Sequence, residues 1–188
     1  WFAVGDVSGK GVPAALFMAV TKVLFGVAVE VESGPAEVLA RMNRALCREN
    51  EHALFVSAFV GRLDLATGEL AYANAGHNLP YRLRSDGAVS PLPASAGLVL
   101  ALAEEFEFRA ESVRLDPGDT VFLYTDGVTE AIDPGNVLFS ERRLEEFLAT
   151  AGGRPASEVV EGAIAAVDAF AGGAPQFDDI TALALRWR

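Results

Sequence analysis

Phe55-Val56-Ser57-Ala58-Phe59-Val60-Gly61-Arg62-Leu63-Asp64-Leu65, a turn at Thr67-Gly68, then Glu69-Leu70-Ala71-Tyr72-Ala73-Asn74-Ala75. Two runs rich in β-formers, joined by a short glycine-bearing turn, predict an antiparallel hairpin. A second hairpin pattern follows, Tyr81 to Arg84 and Ala88 to Val89 across Ser85-Asp86-Gly87. Phe106, Phe108 and Ala110 alternate with charged residues, which predicts a half-exposed strand. After the turn at Pro117-Gly118-Asp119, Val121 to Tyr124 reads as a buried strand. Hairpins in succession call for antiparallel sheets. Outward from this block, Phe2-Ala3-Val4 is a short strand ending at Gly5-Asp6, followed by a helix over 12–29 with Pro13 in its first turn. A second helix runs from Pro35 to about Arg48, its Val38, Leu39, Met42 and Leu46 recurring at helical spacing. Helices at about Ser140–Thr150 and Ala156–Phe170, a loop at Gly172–Pro175 and a last strand, Ile180 to Trp187, complete the order. Strands and helices are segregated, so the fold class is α+β rather than a doubly wound sheet.

The 188 residues suit one domain, and 51% hydrophobic against 22% charged residues excludes disorder. The net charge of −11 argues against a nucleic-acid binder and against docking on an anionic membrane. Its bland meaning is solubility; its sharper one is that some carboxylates hold cations. Cys47 is the only cysteine, so no internal disulfide forms and a reducing, cytoplasmic compartment fits. With only Cys47, His52 and His77 available, a Cys/His zinc site is excluded. Cys47 reads as core, and His52, beside Glu51, as solvated. No basic leader precedes Phe2-Ala3-Val4. Val12 to Val29 is long and apolar, but Lys22 at its centre would cost roughly 3 kcal/mol on insertion, so it reads as a core helix.

Three acidic sites share one setting. Asp6 and Asp126 each lie just past an apolar strand, and Asp178-Asp179 stand just before another. An unpaired carboxylate is costly there. If the strand ends converge, a divalent cation relieves the repulsion, and all-oxygen ligation selects Mg²⁺, Mn²⁺ or Ca²⁺. Turn duty is the competing reading. Ser8-Gly9-Lys10-Gly11 fails the phosphate-loop spacing, because three residues separate Gly5 from Gly9 and Gly11 stands where a hydroxyl residue is needed. What remains is a glycine-rich turn feeding a helix N-terminus. His77, in a Gly-flanked loop, is open to three readings: general acid, phosphate contact or loop packing.

Taken together, Gly5-Asp6-Val7-Ser8-Gly9-Lys10-Gly11-Val12-Pro13-Ala14-Ala15-Leu16, Asn74-Ala75-Gly76-His77, Leu123-Tyr124-Thr125-Asp126-Gly127-Val128-Thr129-Glu130-Ala131 and Asp178-Asp179-Ile180-Thr181 resemble the bacterial SpoIIE/RsbU-like branch of the metal-dependent protein phosphatases (PPM). The resemblance runs from Phe2 to Arg186 and treats 1–188 as one phosphatase domain. It implies a sandwich of two mainly antiparallel sheets flanked by helices, and hydrolysis of phosphoserine or phosphothreonine with two Mn²⁺ or Mg²⁺ ions. Asp6 would bridge both ions, the Val7 carbonyl would bind one, and Asp126 with Asp178 the other, with Asp179 next in line. Ser8, Lys10, Asn74 and His77 are the candidates for the substrate loops. Ser8 occupies the position where eukaryotic relatives carry a histidine thought to act as general acid. The implied partner is a phosphorylated signalling protein such as an anti-sigma-factor antagonist, with a sensor domain upstream. The family's earlier Gly-Gly-Asp-x-x-Asp-like strand precedes the point where this sequence starts. A sheet without that strand would expose an edge and favour a homodimer. The alternatives are an interaction module without turnover and a structural cation-binding domain.

Overall fold

The computed structural model of the chain describes residues 1–48, 50–94, 97–176 and 178–188. Its elements are β1 (Phe2–Val7), α1 (Val12–Val31), α2 (Pro35–Arg48), β2 (Val56–Leu63), β3 (Glu69–Ala75), β4 (Tyr81–Leu83), β5 (Val89–Pro91), β6 (Glu111–Arg114), β7 (Thr120–Tyr124), α3 (Ser140–Ala149), α4 (Ala156–Ala171) and β8 (Ala182–Arg186). They fall into two compact units, residues 1–77 with 93–114 and residues 78–92 with 115–188. Strands and helices are segregated and both sheets are antiparallel, as the α+β reading requires.

In the first unit the sheet order is β1-β2-β3-β6, so β1 is an edge strand among the described residues. Alternation assigns its two faces. Val7, Val56, Ala58, Val60, Ala73 and Ala75 face a core shared with α1 and α2. Val4, Asp6, Ser57, Phe59 and Asn74 point the other way, because register pairs Val4 with Phe59, Asp6 with Ser57 and Phe59 with Asn74. Helix α2 buries Val38, Leu39, Met42 and Leu46, the predicted stripe, together with Asn43. Asn43 donates through Nδ2 to the Ala103 and Glu104 carbonyls (2.8 and 3.2 Å) and accepts the Ala101 N–H at Oδ1 (2.8 Å).

That clamp bears on one correction. The strand expected around Phe106–Ala110 begins at Glu111 instead, where β6 pairs with β3. Phe106 and Phe108 pack edge to face, 5.0 Å between ring centres, against the helix-covered core. Their alternation with charges reflects an irregular segment laid on that core. A second correction concerns α1. Only Ala14, Thr21 and Ala28 are buried in it, and Val12, Leu16, Val20, Val23, Val27 and Val31 are exposed. It packs by one face rather than sitting within the core. By length and composition alone it could cross a membrane.

In the second unit the order is β5-β4-β7-β8. All five residues of β7 are buried. Phe122 and Tyr124 pack with Leu144 and Leu148 of α3 and with Val159, Ala163 and Val167, one side of α4 at four-residue spacing. Each Leu in such a core is worth about 2–5 kcal/mol against alanine. Gly172, in the left-handed conformation (φ 55°), ends α4.

Candidate functional site

The first acidic position is set by register. Asp6 lies inside β1 rather than past its end, half-buried, directly opposite Ser57. The ladder continues beyond Val7: the Ser8 N–H donates to the Phe55 carbonyl (2.9 Å), and the Ser8 hydroxyl accepts the Phe55 N–H (2.9 Å). This extension is why the strand outruns the expected stop at Gly5-Asp6. It also orients Val7. Val56, its partner across the register, gives its N–H and its carbonyl to Leu100 (3.2 and 2.8 Å), so the Val7 carbonyl turns away from β2 toward the outer edge of the sheet. Gly9 and Gly11 then turn the chain at φ 84° and 83°, and α1 starts without a side-chain cap. Lys10 is exposed on that turn.

The Asn74–His77 loop belongs to the same unit. Asn74 is buried and holds the His77 backbone at both ends, donating from Nδ2 to its carbonyl (2.8 Å) and accepting its N–H at Oδ1 (2.7 Å). The His77 ring is buried, with Nδ1 2.8 Å from the Ser57 hydroxyl. Sequence reasoning missed Ser57. Only the strand register, which sets it opposite Asp6, singles it out.

The second unit forms an acidic corner where β7 ends and β8 begins. Thr125 makes the junction: its N–H donates to the Thr181 carbonyl (3.0 Å), its hydroxyl donates to the Asp179 carbonyl (2.9 Å), and that hydroxyl accepts the Thr181 N–H (2.9 Å). Asp126 opens a short 3₁₀ turn, its carbonyl taking the Glu130 N–H (2.8 Å) and the Thr129 hydroxyl (3.1 Å). Gly127 is required by close approach, since a Cβ there would stand 2.9 Å from the Asp179 carbonyl carbon. Asp178 and Asp179 are therefore held against the Asp126-Gly127 turn. Asp178 is half-buried and accepts the Asp179 N–H at Oδ1 (2.9 Å); Asp179 is exposed. A concavity of about 190 Å³ beside the turn is lined by Gly127, Ile132, Val167, Gln176 and Ile180.

One atom decides how the corner is read. Asp126 Oδ1 is buried and accepts no hydrogen bond among the described residues. A buried carboxylate oxygen without a donor is costly unless a cation answers it. The donor set is all oxygen, which suits Mg²⁺ or Mn²⁺. The residues at this corner thus fit the implied metal. Among the described residues, no three His, Cys, Asp or Glu side chains stand together as a finished metal cage.

Two features lie outside the expected site. At the other end of β7, Asp119 is buried and paired with Arg82, whose Nε donates to Oδ2 at 2.7 Å. Tyr124, the last residue of β7, has its phenol pushed up to about 12 by burial and by Glu141. Tyr81 is pushed up further by burial and by its hydrogen bond to Glu145. Of the remaining sequence readings, His52 is exposed as expected, and the half-buried Cys47 thiol is pushed up by burial and Glu104.

Comparison with known proteins agrees with this layout. The family model described as Stage II sporulation protein E (SpoIIE) matches residues 1–188. Protein IcfG of Synechocystis is 31% identical over 97% of the chain, and phosphoserine phosphatase RsbU of Bacillus subtilis is 33% identical over 68% of it. The chain spans only 33% and 38% of those two relatives' own lengths. The SiaA-PP2C domain of Pseudomonas aeruginosa matches with a TM-score of 0.88 at 28% identity, covering 99% of this chain and 75% of that one. The PP2C phosphatase domain of SpoIIE from Bacillus subtilis matches at 0.81 with 20% identity, over 98% of this chain and 53% of that one, a likeness of fold. The two antiparallel sheets and four helices are those of PP2C phosphatase domains.

Proposed function

Because the chain belongs to the SpoIIE family of PP2C-like phosphatase domains, we propose that it is a metal-dependent protein serine/threonine phosphatase, removing phosphate from a signalling partner such as an anti-sigma-factor antagonist. The observation that carries this reading is the buried, donorless Oδ1 of Asp126 in the Asp-Gly turn. Asp6, the Val7 carbonyl, Asp126 and Asp178 are the residues we assign as ligands of two Mn²⁺ or Mg²⁺ ions, with Asp179 as the next available carboxylate. When bound, such ions supply positive charge against phosphoryl oxygens and acidify water.

The chain's own residues would do the rest. Asp126 and Asp178, held by Thr125 and the close contact at Gly127, present carboxylates without having to reorganise. Ser8 has its hydroxyl engaged with the Phe55 N–H, so we assign it to fixing the end of β1 rather than to proton donation. Lys10, exposed on the turn before α1, is the residue we assign to meeting a phosphoprotein. A cytoplasmic setting, an upstream sensor domain and a homodimer using the β1 edge belong to the same proposal.

Assays of the purified chain on p-nitrophenyl phosphate and a phosphoprotein with Mn²⁺ test the proposal. Metal-dependent turnover lost in Asp126→Ala is expected; equal rates for the two proteins overturn it. The second reading is a regulatory interaction module with little or no turnover. Calorimetry showing two bound Mn²⁺ together with metal-dependent turnover excludes that reading.

A further inference from the structure

We propose that Ser57 and His77 are positioning residues for Asp6, a role that rests on the metal-binding reading of Asp6. Register sets Ser57 directly opposite Asp6 on the same face of the sheet. Residues so paired hold their Cβ atoms about 4.5–5.5 Å apart, within reach of a hydroxyl–carboxylate contact. The Ser57 hydroxyl is in turn 2.8 Å from His77 Nδ1.

Direction follows from electrostatics. If Ser57 donated its proton to Nδ1, it would show only lone pairs to the Asp6 carboxylate. With the proton on Nδ1, His77 donates to the Ser57 oxygen, and the Ser57 proton is left for Asp6. This hydrogen bond fixes which way the carboxylate faces and satisfies one of its lone pairs. Carboxylates that ligate metals are commonly held by hydrogen bonds from such outer partners.

The loop is built to hold His77 rather than merely to fill space. Asn74 spends both ends of a buried amide on the His77 backbone, at 2.8 and 2.7 Å. Gly76 precedes it at φ 68°, in a parallel bridge to Ala58, and a Cβ there would come within 2.8 Å of Val99. Backbone position, ring position and strand register are therefore all determined before Asp6 is reached. A histidine that only packed the loop would need none of this alignment with the partner of Asp6.

The test is Mn²⁺ affinity, read by calorimetry on the 188-residue chain, alongside the melting temperature without metal. Ser57→Ala removes one half-buried hydroxyl and keeps the fold. It is expected to weaken Mn²⁺ binding about 10-fold or more while leaving the metal-free melting temperature unchanged. His77→Ala should weaken it similarly, and the double variant no further than the worse single one, because both act through one hydrogen bond. His77→Asn, whose amide N–H replaces Nδ1–H, should recover most of the loss. Unchanged affinity in Ser57→Ala, or losses that add in the double variant, overturns the pair and leaves the metal site standing. A wild-type chain that binds no Mn²⁺ overturns the metal reading and the pair together.

Discussion

Strand β7 carries a carboxylate just outside each end, and folding treats the two in opposite ways. Asp119, before the strand, is 1% exposed; its Oδ2 accepts Arg82 Nε at 2.7 Å and the Asp116 N–H at 3.0 Å, with a second contact from the Arg82 guanidinium. Asp126, after the strand, has a buried Oδ1 that accepts nothing among the described residues. They flank one strand, Asp119 fully buried and Asp126 half-buried with one carboxylate oxygen, Oδ1, out of reach of water. The difference lies in what the chain supplies. A guanidinium from β4 neutralises the first, which makes it architecture. For the second, the described residues supply no donor to Oδ1, and a buried carboxylate oxygen is costly unless something outside the chain answers it.

Removing one partner from a buried pair strands the other, so Asp119→Ala should destabilise the chain by about 3–5 kcal/mol in denaturant unfolding. Mn²⁺ affinity of the fraction that remains folded should be unchanged. Asp126→Asn should do the reverse. It removes the charge behind a buried oxygen that has no donor, so metal-free stability should hold or rise, while Mn²⁺-dependent turnover falls by at least about 100-fold, the upper end for residues one layer removed from a metal. If Asp126→Asn instead costs as much stability as Asp119→Ala, the contrast is false and Asp126 is structural.

Much of this contrast could be read from the sequence, and the remainder shows where patterning stops. The Asp126-Gly127 turn announced itself, because a buried strand followed by Asp-Gly leaves few alternatives. Asp119 did not, although it sits in the plain turn signal Pro117-Gly118-Asp119. Its partner Arg82 is 37 residues away and becomes a neighbour only through the pairing of β4 with β7. Ser57 was hidden for the same reason, since its meaning is a matter of register. Helix α1 failed differently. Its apolar residues run nearly all round, so the sequence does not encode a buried face, and packing chose Ala14, Thr21 and Ala28 while exposing six Val and Leu side chains. Helix α2, with one apolar stripe, buries the Val38, Leu39, Met42 and Leu46 that its spacing predicts, while Cys47, read as core, is only half-buried and the buried Asn43 was not foreseen.

A smaller effect tests whether the acidic corner is held by the chain before any metal arrives. Thr125 spends one hydroxyl on both the Asp179 carbonyl and the Thr181 N–H, each at 2.9 Å. Thr125→Val keeps the shape and loses both bonds, which should cost about 1–2 kcal/mol and weaken Mn²⁺ binding, because Asp178 and Asp179 lose their tether. Thr125→Ser should restore both properties. Lost stability with unchanged metal affinity would place the corner's rigidity elsewhere.

The smallest effect is spectroscopic and reads β7 itself. The three tyrosines, Tyr72, Tyr81 and Tyr124, all have phenols raised above the ordinary 10.0, and burial is the largest cause for each. Tyr72 and Tyr124 are held at about 12. A phenol raised by folding binds its proton more tightly in the folded chain than in the unfolded one. The stability it contributes is therefore fully present below pH 10.0 and is lost as pH climbs toward 12. The folded chain should show almost no tyrosinate absorbance at pH 10.0, where free tyrosine is half ionised. The signal should then appear in one step, together with loss of secondary structure. Asp126→Asn, which leaves β7 intact, should not move that step. Asp119→Ala, which loosens the start of the strand, should bring it to lower pH. Tyr124 ionising at its ordinary value while the chain is still folded would mean that β7 is less securely packed than its five buried residues imply, and that the two carboxylates at its ends are not held by a common rigid strand.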